Sequence, residues 1–365
     1  GNVMLTHSRF SDLDRMANEE RLRALLGPRA TAENGRRPKR LVVVGTQVLE
    51  QSLDIDFDLL VADVAPVDLV LQRLGRLHRH NRGQGECERP RLLQRPTCMV
   101  RGVEELGADG PRFSKGICNV YDHASLLESL AVLGLTDDGV HTRVCLPNDI
   151  SPLVQRAYRD GGDGVPLAWR EAYEQARLAR EGQLTRKARR AGTCLLASVV
   201  PLMENERTLV DMCERSIEGG GRADTDKGQR AVRDTQETVE VLLLQETEGG
   251  LCLLPWIGDE RNGVDPGSRV PTAFEPSADV ARLVAQCAIR LPLSMCSLDK
   301  LDELIDELEE NCGKWTAAWQ DSPWLAGRLV LALRQEDGDE FVADVCGWRV
   351  SYTRRGGLAT VRGIS

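Results

Sequence analysis

Gln72-Arg73-Leu74-Gly75-Arg76-Leu77-His78-Arg79 is the stretch on which the reading of this chain turns. It follows a helix-compatible run, Val67-Asp68-Leu69-Val70-Leu71. Continued as one helix, Gln72, Arg76 and Arg79 fall at i, i+4 and i+7, on one face. That face presents two guanidiniums and an amide. Arginine pairs with phosphate oxygens bidentately, so two forked cations aimed at one point suit a phosphate chain. Fixed cations of this kind stabilise charge that develops on a transferred phosphoryl group. Taken alone, the stretch fits the solvated end of a basic helix equally well.

Upstream, Leu41-Val42-Val43-Val44-Gly45 and Leu59-Leu60-Val61-Ala62-Asp63 are continuous apolar runs. Such runs predict strands of a parallel sheet, buried on both faces. Val3-Met4-Leu5-Thr6 predicts an earlier strand. Residues 12–26 carry Leu13, Met16, Leu22, Leu25 and Leu26 at helical spacing, and Gly27-Pro28 ends that helix. Ile117 to Tyr121 reads as the last strand. The rhythm of strand and helix predicts right-handed βαβ units.

Ligands of open α/β sheets gather at the carboxyl ends of strands. Thr46 and Gln47 follow one strand there, with Thr46 at a helix N-cap position, and Thr6-His7-Ser8-Arg9 follows another. Hydroxyls and an Arg at a strand end can take a nucleic-acid phosphate. Asp54 precedes the next strand, placed to hold a ribose hydroxyl or to orient an Arg. The bland alternatives stay open: Thr46 as a cap only, the Asp cluster solvated, His7 structural. Seven Arg lie between Arg73 and Arg95, either a phosphate-contacting patch or a surface loop. His78-x-His80 has no third ligand nearby, so no metal site is assigned.

Downstream, residues 126–192 read as mostly helical, with Leu126, Leu127, Leu130 and Leu133 on one face. Residues 218–229 read as a loop. Val239 to Leu244 and Leu251 to Trp256 flank Gly249-Gly250 and predict a hairpin. Leu298 to Leu308 has helical spacing, and Leu325 to Leu358 reads as short strands and turns.

The 365 residues allow two or three domains. Net charge is -9, unevenly spread: residues 1–100 hold 16 Lys+Arg against 13 Asp+Glu, and the remainder 31 against 43. The first part is therefore the better candidate for meeting a polyanion. The 11 Cys include no C-x-x-C pair, which argues against zinc and a disulfide framework, and for small buried hydrophobes in a reducing cytosol. No apolar run reaches the roughly 18–20 residues of a membrane span, and no signal peptide is visible. Gly1 opens partway into a strand-like run, which reads as a fragment edge.

Together the segments are more specific than apart. The order strand–Thr-His-Ser-Arg, strand–Gly-Thr-Gln…Ser-Leu-Asp, then Gln-Arg-x-Gly-Arg-x-x-Arg resembles motifs IV, V and VI of superfamily two helicases. Leu5 to Phe10, Gly45 to Asp58 and Ala65 to His80 resemble in wording the type I CRISPR interference helicase–nuclease, nearest its type I-E branch. The likeness extends through Ala231 to Asp234, Ala288 to Pro292 and Ser322 to Leu325.

The resemblance implies an α/β fold: a RecA-like parallel sheet flanked by helices at 1–125, a helical linker at 126–192, and an α+β C-terminal accessory domain at 193–365. It implies part of an ATP-dependent single-stranded DNA helicase in a cytoplasmic antiviral defence. In that family an HD nuclease and a first motor domain precede this region, and an RNA-guided surveillance (Cascade-type) complex recruits the enzyme. By motif position Arg76 and Arg79 are arginine fingers, Gln72 senses the γ-phosphate and the attacking water, and Arg73 is a support. Asp54 and Gln51 lie on the nucleotide side. Thr46, Gln47, Ser8 and Arg9 lie on the DNA backbone side.

This sequence has no Gly-x-x-x-x-Gly-Lys-Thr phosphate loop, no Asp-Glu-x-x segment placed to hold Mg²⁺ and no HD cluster. ATP with Mg would be bound mainly by the missing first motor domain, so the chain alone is expected to be inactive. The rival readings are half of another superfamily two helicase, or a non-catalytic remnant or partner-binding module.

Overall fold

The computed structural model describes residues 2–50, 53–107, 109–137, 141–159, 162, 164–192, 238–296 and 300–363. In chain order the elements are β1 (Val3–Thr6), α1 (Asp12–Leu26), β2 (Val42–Gly45), β3 (Leu59–Asp63), α2 (Val67–Leu74), β4 (Thr97–Arg101), β5 (Val103–Gly107), β6 (Gly110–Phe113), α3 (Lys115–Cys118), α4 (His123–Leu133), α5 (Ile150–Ala157) and α6 (Arg170–Gly192). They continue with β7 (Glu240–Thr247), β8 (Gly250–Cys252), α7 (Ala278–Ala285), β9 (Ala288–Arg290), α8 (Leu301–Thr316), β10 (Leu329–Gln335), β11 (Glu340–Val345), β12 (Trp348–Thr353) and β13 (Gly357–Arg362). The chain is mixed α/β and forms two compact units: Gly1–Leu53 with Gln236–Ser365, and Asp54–Thr235.

In the first unit β1 and β2 pair in parallel, from Val3↔Val42 to Thr6↔Gly45. Helix α1 starts where the Ser11 side chain accepts the Asp14 N–H, and it ends before Gly27-Pro28. The C-terminal part is a seven-stranded sheet in the order β13-β12-β11-β10-β7-β8, with β9 also on β7. Strands β7 and β10 are parallel and the remaining pairings antiparallel. The expected hairpin around Gly249-Gly250 is present as β7–β8. Leu242, Leu243, Leu304, Leu308, Val330 and Phe341 build the core of this part.

In the second unit β3 and β4 pair in parallel and β5 and β6 antiparallel. Helix α4 is buried along its length: Leu126, Leu127 and Leu130 pack with Trp169 and Tyr173, while Val132 and Leu133 pack with Val67, Val70 and Leu71 of the α2 layer.

Three expectations are corrected. The parallel pairs β1–β2 and β3–β4 form, one in each unit. Their apolar runs are not buried on both faces, since Val42, Val44 and Val61 are each more than half exposed. A β-branched run records the capacity for burial, not the neighbour that supplies it. Residues 117–121 are not a strand: Ile117 lies in α3, after the helix-favouring Ser114. A short apolar run does not separate strand from helix. Finally, the helix carrying Gln72 stops at Leu74, and Arg76 and Arg79 lie beyond it.

The cysteines are mixed: Cys287, Cys296 and Cys312 are buried, while Cys87, Cys118 and Cys145 are exposed. Among the described residues no helix is long and apolar enough to cross a membrane. Gln51, the 218–229 loop, and Ala231 to Asp234 lie outside the described residues.

Candidate functional site

Two groups of the expected residues are placed, one in each unit. In the second unit the Arg76–Arg79 segment is held as a turn. Gly75 donates to the Leu71 carbonyl at 2.9 Å as α2 closes. The chain then runs beside Phe57: the Phe57 N–H donates to the Arg76 carbonyl at 2.9 Å, and the His78 N–H to the Phe57 carbonyl at 3.0 Å. His78 takes the left-handed conformation at φ 49°. A non-glycine residue there is sparsely populated and persists only where its surroundings fix it.

Arg79 Nε donates to Asp54 Oδ1 at 2.6 Å, and its Nη1 approaches the Gly75 carbonyl at 3.3 Å. Both partners are about half exposed. The Arg79 hydrogen bond holds the Asp54 carboxyl below the usual carboxylate range, and His80, 3.0 Å from the same oxygen, acts in the same direction. Asp54 is thus paired with an arginine of the Gln72–Arg79 stretch. Arg76 is partly buried beside this pair; burial, then the Arg79 charge, lowers its guanidinium, and Asp54 opposes them. It stays cationic, because an arginine starts far above neutrality. Gln72 is exposed on the last turn of α2. Arg73 donates to the Asp63 carbonyl at 2.7 Å and to the Tyr121 hydroxyl at 3.2 Å, tying α2 to the end of β3.

Behind the turn lies a buried ion cluster that the sequence reading missed. Arg82 Nε bonds Asp56 Oδ2 at 2.7 Å, and Arg89 Nη2 reaches both Asp56 oxygens at 3.0 and 3.1 Å. Arg89 also pairs with Asp58 and Glu86, and donates to the His80 carbonyl. Arg82, Arg89 and Asp56 are all nearly inaccessible. Two of the seven arginines read as a phosphate patch or surface loop are thus internal pins. The available signal was the acidic alternation Asp54, Asp56, Asp58 facing an Arg-rich loop.

In the first unit the carboxyl ends of β1 and β2 lie side by side, with Thr6 opposite Gly45. Ser8 and Arg9 are exposed on the turn after β1, and Thr46 and Gln47 on the segment after β2. Thr46 precedes a 3-10 turn, Gln47–Glu50, rather than an α-helix. Its backbone N–H donates to the Thr6 carbonyl at 3.2 Å, so that group is not offered to a phosphate. His7 Nδ1 accepts the Arg9 N–H at 3.1 Å, which requires that nitrogen unprotonated. Burial lowers the His7 pKa and Arg9 adds to that; a backbone bond at Gly356 opposes them. Among the described residues no group of His, Cys, Asp and Glu has a metal-holding arrangement.

A family model described as CRISPR-associated nuclease/helicase Cas3, C-terminal, matches residues 1–82, and one described as Cas3 C-terminal domain matches 233–358. The chain is 30% identical to a CRISPR-associated nuclease/helicase Cas3 of Streptococcus thermophilus over 99% of its own length and 35% of the relative's. It is 32% identical to one from Thermus thermophilus, over 79% and 28%. It therefore spans about a third of the length of these relatives. A crystal structure of a CRISPR-associated protein aligns at TM-score 0.67 and 26% identity, covering 99% of this chain and 34% of the other. T. fusca Cas3 with ATP aligns at 0.66 and 24%, over 98% and 35%. A CRISPR RNA-guided surveillance complex before nicking contains a chain aligning at 0.60 and 22%, over 98% and 37%.

Proposed function

Since this chain belongs with the C-terminal portion of the Cas3 nuclease/helicase family, we propose that it supplies the arginine fingers and part of the DNA path of an ATP-driven single-stranded DNA translocase, by its wording nearest the type I-E branch. The observation that carries the reading is the Arg79–Asp54 ion pair with Arg76 beside it. Nε of Arg79 is taken by Asp54, which fixes the plane of the guanidinium while the side chain stays accessible. A cation held in this way needs no reorganisation when charge develops on a transferred phosphoryl group. Arg76 adds the second charge, and Gln72 contributes an amide at the end of α2.

Bound ATP with Mg²⁺ would supply the phosphoryl group and the metal charge. The accessible Arg79 and the partly buried Arg76 suit its phosphate end, whereas the metal would be held by the remaining two thirds of the longer protein. That part also carries the nuclease in this reading. Ser8, Arg9, Thr46 and Gln47 hold the DNA backbone from the ends of two adjacent strands, and the segments 1–125, 126–192 and 193–365 are the motor domain, linker and accessory domain. The surveillance-complex partner rests on the likeness to the chain in that assembly.

The test is steady-state, DNA-stimulated ATP hydrolysis by the longer protein. Arg79→Ala is expected to lower kcat about 10³-fold, as loss of an arginine finger does, with ATP affinity changed little. Unchanged hydrolysis would remove the finger assignment.

A further inference from the structure

The backbone of the turn after β1 is tied to the C-terminal part of its unit, while its Ser8 and Arg9 side chains stay exposed. The Arg9 carbonyl accepts the Leu358 N–H at 2.7 Å. The Ser11 N–H donates to the Tyr352 hydroxyl at 3.1 Å, and that hydroxyl donates to Asp14 Oδ2 at 2.6 Å. Trp256 Nε1 takes the other Asp14 oxygen at 3.0 Å. The Leu13 N–H donates to the Gln286 carbonyl at 3.2 Å.

A helix cap requires Ser11 alone, which already accepts the Asp14 N–H. Here both carboxylate oxygens of a buried Asp14 are bound by donors from a part of the chain more than 240 residues away in sequence. Tyr352 is fully buried and stacks near Trp256, so its hydroxyl cannot be replaced by water without opening the packing. Gly357 completes the fit. It has φ 69°, and a Cβ there would lie 2.4 Å from the Arg9 carbonyl oxygen and 2.9 Å from the His7 ring.

We propose that Tyr352, Trp256 and Gly357 are positioning residues: the C-terminal sheet sets the conformation of the His7–Phe10 turn, and through it the grip of Ser8 and Arg9 on a nucleic-acid backbone. The part concerning grip rests on the DNA reading above. A turn pinned through its main chain presents its side chains in one geometry, so binding does not have to order them.

The test uses the 365-residue chain with Tyr352→Phe, Trp256→Phe and Gly357→Ala. Hydrogen exchange is followed over residues 6–14, and binding to a fluorescent oligo-dT is measured across a salt series. Exchange over 6–14 is expected to speed up about 10-fold or more in each variant, with β10–β12 still protected. The slope of log affinity against log salt should shrink by about 0.7 for each phosphate that the variant no longer neutralises. A variant that merely unfolded part of the population would lower the active fraction and leave that slope alone. Unchanged exchange over 6–14 in all three variants overturns the positioning role. Faster exchange with unchanged affinity and slope overturns the link to DNA. Wild-type chain that shows no salt-dependent binding defeats the DNA reading itself, and the exchange result still decides whether the sheet positions the turn.

Discussion

Asp54 shows how much a single carboxylate contributes here, and in which direction. Arg79 depresses its pKa, so its contribution is complete above the unfolded value, about 4, and is lost only as pH falls through the lower folded value. The tether is therefore intact from about pH 5 upward, and no activity change above that pH arises from it. Being half exposed, the pair adds little to stability. Its effect is on the orientation of Arg79, so Asp54→Ala is expected to lower kcat of the longer protein about 10-fold, well short of Arg79→Ala. A loss equal to that of Arg79→Ala would mean that Asp54 acts on the nucleotide directly.

His7 carries the opposite group and the same sign. Its folded pKa lies below the ordinary value of about 6.5, so the folded state resists protonation. Stability from it is complete above that value and falls as pH drops through the depressed one. In urea unfolding at about pH 7.5 and pH 5, the wild-type chain should lose more stability than His7→Gln; equal losses would contradict the assignment. The Asp54–Arg79 pairing was foreseeable, because a carboxylate before a strand and an Arg-rich turn are both visible locally. The engagement of the Thr46 N–H by Thr6 was not, since it depends on strand register.

At the scale of elements, the sequence located α1, α2, β1, β2, β3 and the β7–β8 hairpin through periodicity and Gly or Pro punctuation. It misplaced the end of α2. Helical spacing of Gln72, Arg76 and Arg79 continues through Gly75, but the turn beyond it pairs with Phe57, and a tertiary contact overrides local spacing. The ion cluster on Asp56 holds that arrangement from behind. Arg89→Ala removes one of the cations paired with the inaccessible Asp56, and breaking such a buried pair costs about 3–5 kcal/mol. Urea unfolding of the chain, followed by exchange in residues 54–95, should show that cost. A value under about 1 kcal/mol would mean that the cluster is solvated.

The whole chain places its candidate groups in two compact units, with the candidate finger arginines in Asp54–Thr235 and the turns proposed to meet DNA in the unit of Gly1–Leu53 and Gln236–Ser365. That grouping was illegible in the sequence, because bonds such as Tyr352 to Asp14 span 338 positions and leave no local trace. It makes DNA binding and ATP hydrolysis separable. Arginine fingers lower a barrier only when another surface holds the nucleotide, and this sequence contains no Gly-x-x-x-x-Gly-Lys-Thr loop. The pure chain is therefore expected to bind oligo-dT with affinity that falls as salt rises, and to release no phosphate from ATP above background. Hydrolysis that Arg76→Ala destroys would show that the chain holds the nucleotide itself. Binding insensitive to salt would show that the exposed turns do not engage the phosphate backbone.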